Sequence, residues 1–223
     1  MTDPLIAEDL LLVAHAPDTG RPLTDATRLT CGLAGALLAE LALLQRITIE
    51  GKHLVVEPSH PDTGDSDLDP VLHQMAAPSR RRKTKDWVQR LQSGRLRNRL
   101  LQRAVAGGLL RSGSSTVLGI FPVRRYRPVA VDRREQLVAE QRGMLTGELT
   151  PNSRGVALLA LISAVHLDGK LFPDLPRAQR RQMTKAVLRD DRIGSAVREV
   201  IQSIEMAAAA ATAGGAAAAG SGA

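Results

Sequence analysis

Between residues 80 and 129 the chain carries fourteen arginines and lysines against one acid, Asp86, a charge of +13 in a chain of +7, which leaves the remainder at −6. A solvated face ordinarily mixes signs, because interspersed acids relieve repulsion, so a block this poor in acids calls for an external anion. A merely solubilising surface is the competing explanation. Arg95, Arg97 and Arg99 follow Gly94, where a helix should begin, and Arg90 lies one turn after Trp87. Arginine grips phosphate oxygens with two parallel hydrogen bonds, and a helix start adds free N–H donors and the positive end of the helix dipole. Arg97, Arg95, Arg90 and Trp87 therefore read as the wall of a monophosphate pocket, although Trp87 would serve equally as core packing. Further on, Val117, Leu118, Ile120 and Phe121 stand between Arg111 and the cluster Arg124, Arg125 and Arg127. If that limb is exposed, its apolar side chains enter lipid while the cations meet headgroups; the alternative is a strand packed on the core.

Other chemistries lack their residues. Asp-Thr-Gly occurs at Asp18 and Asp62, the tripeptide of aspartic proteases, but each copy directly follows a proline in a polar turn, so turn formation explains both. The five histidines lack the paired spacing of a zinc site, and Cys31 alone supplies no thiolate cluster. No nucleophile elbow or phosphate-cradling glycine loop occurs, since Gly32 and Gly35 fall inside a helix whose N–H groups are committed. The expectation is a protein without catalysis, metal or cofactor. Nucleic-acid binding shares the same charge, but scarce aromatics and the absence of a reading motif make it the less favoured partner.

The elements that must carry these residues are mainly helical. Aromatics are only 2% of 223 residues while Ala and Leu abound, which suits helix-on-helix packing of one core. The pattern predicts a mainly α fold: one globular helical domain over residues 1–206 with a protruding β-hairpin and a second short hairpin, then an Ala/Gly-rich low-complexity tail at 207–223. Leu29, Leu33, Leu37, Leu41 and Leu44 predict a central helix over 27–45, capped by Thr24 or Asp25, in which Gly32 and Gly35 permit close packing. A short helix lies over 5–13 and another around Leu68 to Met75, and a hairpin is expected over 46–57 about Gly51-Lys52. The basic helix runs from Arg95 to Ala106, with Leu96, Leu100, Ala104 and Val105 inward. The second hairpin pairs 109–111 with 116–123 around Ser112 to Ser115. Later helices cover about 132–145, a segment capped by Thr150 with Pro151 first inside it, and 176–206 with a break at Asp190-Asp191. Met1 to Leu12 is acidic and unlike a secretory signal, the lone cysteine suits a reducing compartment, and the longest apolar run, Leu33 to Leu44, is too short to span a bilayer. The expected location is cytoplasmic, peripherally associated with the cytosolic face of a membrane.

The string Gly32-Leu-Ala-Gly-Ala-Leu-Leu-Ala-Glu-Leu-Ala-Leu-Leu-Gln-Arg-Ile47, preceded by Leu10-Leu-Leu and Asp18-Thr-Gly-Arg21, resembles the Golgi phosphoprotein 3 family, in a bacterial branch. Leu100 to Leu110 before a hairpin, and Leu158 to Val165 before Leu171-Phe172, extend the likeness over about residues 5–205. The resemblance implies a mostly helical fold with a protruding hairpin that binds phosphatidylinositol 4-phosphate on cytosolic membrane surfaces; eukaryotic members retain glycosyltransferases. Transferred residue by residue, the second of the family's paired arginines matches Arg97, while the first falls at Gly94 with Arg95 beside it. Ala34 replaces the arginine of the family's G-L-R-G, and Asp25 stands near its pocket tryptophan; Arg28 is offered as the compensating cation. These departures imply anionic-lipid binding without strict selectivity for one phosphoinositide. The family's coat-binding N-terminal arm has no counterpart in the residues ahead of Leu5, so the adaptor role is not carried over. An anionic phospholipid surface is the implied partner, with a membrane-protein client and self-association compatible with it.

Overall fold

The chain enters its core at once: every residue of α1, Ile6–Val13, is buried, Glu8 and Asp9 included. A computed structural model describes residues 4–50, 53–57, 62–76, 82–117, 121–189, 198–202 and 206, with backbone alone at 116, 117, 121 and 122. Against α1 packs α2, Ala26–Leu43. Of its two prospective caps, Asp25 performs the role, accepting from the Arg28 N–H at 2.9 Å. The Thr24 hydroxyl instead donates to the Val165 carbonyl at 2.7 Å. Leu29, Leu33, Leu37 and Leu41 are buried as their spacing predicts, whereas Leu44 lies past the helix and is exposed.

Gly32 is required by close approach. A Cβ there would stand 2.6 Å from Val165 Cγ1 and 3.1 Å from Leu10 Cδ2, so only glycine lets α2 touch both neighbours. Alanine would gain about 1 kcal/mol in helix propensity but overpack a dense core, which typically costs about 1–3 kcal/mol. Gly32→Ala is therefore expected to lower the denaturant midpoint; a raised midpoint would refute the packing argument.

By length and composition α2 could cross a membrane, having 18 residues of mean hydropathy 1.3, which corrects the sequence expectation that no run is long enough. Its burial explains the apolarity differently. Most of the helix is enclosed within the fold, and the Glu40 carboxylate accepts from the Ile6 N–H at 2.6 Å, a contact suited to a core helix and not to lipid.

The first sheet pairs β1, Ile47–Glu50, with β2, His53–Val56, while the turn at Gly51-Lys52 lies outside the described residues. A third strand, β3, Arg82–Lys83, pairs antiparallel to β2. Two residues are too few to produce an alternating pattern, so this strand has no signature in the sequence. Between β2 and β3, α3, Asp69–Ala76, buries Val71, Leu72 and Met75. Then come α4, Thr84–Leu91, and α5, Gly94–Ala106. The Ser93 hydroxyl caps α5 by accepting from the Leu96 N–H at 3.1 Å. Leu96, Leu100, Leu101 and Ala104 face inward, with Val105 half-buried.

The second hairpin differs from its expected form. β4, Leu110–Val117, pairs with β5, Phe121–Pro128, from Leu110 opposite Pro128 to Val117 opposite Phe121. Ser112 to Ser115, expected to form the turn, are strand residues instead, and residues 118–120 lie outside the described residues. The register is set at the base. There the Tyr126 N–H donates to the Gly20 carbonyl at 3.2 Å, and the Tyr126 ring meets His15 edge-on at 5.9 Å. Gly20, with φ of +63° and no room for a Cβ beside the Tyr126 backbone, seats the hairpin on the Asp18-Thr19-Gly20 turn.

Four further helices follow: α6, Val131–Thr146; α7, Ser153–Ala164; α8, Asp168–Leu171; and α9, Arg177–Leu188. Asn152 caps α7 by accepting from the Gly155 N–H at 2.8 Å, which replaces the predicted Thr150-Pro151 start. Residues 198–202 are helical as well; the Asp190-Asp191 break and the tail at 207–223 lie outside the described residues. In this mainly α fold α1, α2 and α7 form the centre, α4 and α5 one flank, and α6 and α9 another. Cys31 is buried in α2, and burial pushes its thiol up to about 11.

Candidate functional site

The first turns of α2 and α5 meet around a cavity of about 300 Å3, lined by Ala26, Thr27 and Thr30 from α2 and by Gln92, Gly94 and Arg97 beside them. Residues from two helix starts, where unpaired N–H groups and positive dipole ends are found, thus line one space. Arg97 is half-buried on its wall and has no acid partner among the described residues. The Thr30 hydroxyl donates to the Ala26 carbonyl at 2.6 Å, leaving its oxygen able to accept.

The other expected pocket residues are not drawn into this cavity. Arg95 is exposed on the first turn of α5 and does not line it. Arg28 is held to its own cap, with a nitrogen 3.0 Å from an Asp25 carboxylate oxygen, while its Nε is buried without a partner. Arg90 faces Gln74, whose side-chain oxygen, with the amide turned to suit, accepts from Arg90 Nε at 3.0 Å. Trp87 is fully buried, its indole N–H without a partner among the described residues, so it packs in the core and is not open to a headgroup. Ala34, where the resemblance has an arginine, is likewise fully buried. Sequence reasoning misses Thr27, Thr30 and Gln92: Thr27 is in the first turn of α2, Thr30 one turn further on, and Gln92 is the C-cap of α4.

Part of the basic block is already neutralised from within, which corrects the inference that the whole block awaits an external anion. Arg103 reaches Glu8 at 3.1 Å, Asp65 at 2.7 Å and Asp67 at 3.0 Å, and Arg99 also bonds Asp67. Burial alone would raise the Asp65 carboxyl, but the hydrogen bonds from Arg103 and the backbone N–H groups of Asp67 and Leu68 outweigh it and hold the group below the usual carboxylate range. A second network ties down α1: Asp9 meets Arg133 at 2.7 Å, and Arg154 meets Glu40 at 2.7 Å and also bonds the Pro4 carbonyl. Burial raises the Asp9 carboxyl despite these cations.

The hairpin leaves its cations outside these networks. Strand alternation puts Arg111, Arg125 and Arg127 on one face, with Arg111 directly opposite Arg127, and Arg124 on the face that carries Tyr126. Arg111, Arg124 and Arg127 are exposed without an acid partner among the described residues, and Arg125 donates to the Ser115 hydroxyl at 3.1 Å. Like charges directly across a strand pair are destabilising, so the Arg111–Arg127 pairing is a cost the fold carries. Val117 and Phe121 are described by backbone only, and Leu118 and Ile120 lie outside the described residues. At the base, burial holds His15 below its ordinary pKa, and its Nδ1–H donates to the Leu11 carbonyl at 2.8 Å.

The fold and the site together define a class of protein: a mainly α domain centred on a buried apolar helix, with a cavity at two helix starts that carries Arg97 on its wall, and a basic β-hairpin. The family model described as Golgi phosphoprotein 3 (GPP34) matches residues 6–204, and the chain belongs to that family. It matches no curated protein.

Proposed function

We propose that the protein is a non-catalytic, peripheral membrane protein that binds a phosphorylated lipid headgroup, phosphatidylinositol 4-phosphate or a similar monophosphate, on the cytosolic face of a membrane. Arg97 carries the reading, because it is a cation without an acid partner among the described residues, on a cavity where two helix starts converge. Within that cavity a phosphate would accept from Arg97, from the first N–H groups of α5 and from the Thr27 hydroxyl. Arg95, exposed two residues earlier on α5, adds to the positive charge of that helix start. The basic hairpin supports the same reading. Sequence order puts Leu118 and Ile120 between the paired Val117 and Phe121, so an apolar tip would enter lipid above the cationic limbs. Membership of the Golgi phosphoprotein 3 family agrees with this function.

The test is flotation with vesicles of neutral lipid alone or with added phosphatidylinositol 4-phosphate. Recovery is expected with the phosphorylated lipid only. A hydrogen bond to a charged group contributes about 1.5–3 kcal/mol, so Arg97→Ala should weaken partition by about tenfold to a hundredfold. Equal recovery with neutral and anionic vesicles would overturn the proposal. Binding to DNA or RNA with a steep salt dependence, without vesicle binding, would replace it with the nucleic-acid reading.

A further inference from the structure

A cavity of about 560 Å3 that shares no described lining residue with the Arg97 cavity lies between the end of α7, the His166–Asp168 turn, one face of α9 and the helical residues 198–202. Its volume is within the range of small-molecule sites. Arg177, Arg181, Lys185 and Arg189 line it at intervals of four residues, so α9 and its C-cap present a single cationic stripe to the space. The one described acid on its wall, Asp168, is bound by Arg180 at 2.9 Å and does not neutralise the stripe. Asp190 and Asp191, next in sequence, lie outside the described residues.

This arrangement is costly for α9 taken by itself. α9 contains no Asp or Glu, its first turn carries Arg177 and Arg180 at the positive end of its dipole, and like charges four residues apart repel. Arg177, Arg181, Lys185 and Arg189 are exposed and have no acid partner among the described residues. At 1.5 Å rise per residue, the stripe from Arg177 to Arg189 extends about 18 Å, more than one phosphate covers. No Phe, Tyr or Trp is among the described lining residues, so none of them would stack on a nucleobase. Apolar Ala164 and Ile201 contribute to its wall.

We propose that this cavity is a second anion site, which takes a ligand bearing two or more clustered phosphate groups, held by Arg177, Arg181, Lys185 and Arg189. It shares no described lining residue with the lipid site built on Arg97 and does not depend on it. The shared chemistry, clustered phosphates, could come from a soluble polyphosphate or from a multiply phosphorylated lipid.

Titration calorimetry of the full chain with inorganic tripolyphosphate, at about 0.15 M salt where weak surface charge is screened, tests it. Saturable binding at one site is expected. Arg181→Glu combined with Lys185→Glu should weaken it at least about tenfold, whereas the charge-matched Lys83→Glu with Lys85→Glu, on exposed cations of β3 and α4, should leave it unchanged. A parallel arm uses vesicles carrying a bisphosphorylated lipid. If the α9 variant loses binding only there, the ligand is a membrane headgroup; if only to tripolyphosphate, it is soluble. No binding in either arm, or equal losses in the two charge-matched variants, would overturn the proposal. Loss of flotation by Arg97→Ala with tripolyphosphate binding intact would separate the two sites.

Discussion

Arg103→Met is expected to cost about 3–5 kcal/mol of folding stability, the usual penalty for removing one partner of a buried ion pair, because buried Glu8 loses its cation while Arg99 still holds Asp67. Arg103 bridges Glu8, Asp65 and Asp67, and two of these, Glu8 and Asp67, are themselves buried. Methionine fills much of the same volume, so the loss reports charge and hydrogen bonds more than a cavity. Arg103→Lys should fall between, because an ammonium keeps the charge without the planar fork that reaches three carboxylates. The measurement is the denaturant midpoint with its slope unchanged. A loss below about 1 kcal/mol for Arg103→Met would show that the network contributes no more than a surface ion pair. The same cluster gives a pH signature. Because Asp65 is held below its ordinary pKa, its contribution is fully present above the unfolded value, about 3.9, and is lost as pH falls through the lower folded value. Acid unfolding of wild type should therefore include a component that is smaller in Arg103→Met, where only the backbone N–H groups of Asp67 and Leu68 still lower Asp65.

That network also marks where sequence reasoning stops. The periodicity of leucines locates α2, and the Ser93-Gly94 break followed by an inward stripe locates α5, because both signals are local. The acids that neutralise Arg103 lie 95, 38 and 36 positions away, so a segment with almost no acid of its own reads as uniformly in need of an outside anion. Folding returns Glu8, Asp65 and Asp67 to Arg99 and Arg103 in the later turns of α5. It leaves Arg97, nearer the start of the same helix, on an open cavity wall without an acid partner among the described residues.

The hairpin shows a second limit. Its two limbs are legible as flanks of a turn, but Ser112 to Ser115 carry the composition of a turn and the pairing of a strand. Register comes from the base, where Tyr126 meets Gly20 and His15, and none of those contacts is local in sequence. Trp87 is the converse case. A lone tryptophan among cations suits a binding wall and a core equally well by type, and only burial decides between them.

Replacing Arg111, Arg124 and Arg127 together by glutamine is expected to reduce partition onto anionic vesicles on the order of a hundredfold. Each basic residue near an anionic surface contributes about 1 kcal/mol, and about 1.4 kcal/mol is a factor of ten in partition. These three are chosen because they are exposed and have no acid partner among the described residues, so the substitution takes nothing from the internal networks that hold Arg99 and Arg103. Folding stability should hold or rise slightly, since the variant removes the repulsion between Arg111 and Arg127 across the strand pair. Loss of membrane binding together with unchanged or improved stability is a combination that a purely structural hairpin would not produce. The measurement is flotation over a series of anionic-lipid fractions, alongside a denaturant midpoint. The expected loss should shrink as salt rises, because screening weakens the wild-type attraction that the variant lacks. Unchanged partition would remove the hairpin from the membrane contact and leave Arg97 and its cavity to account for any lipid binding alone.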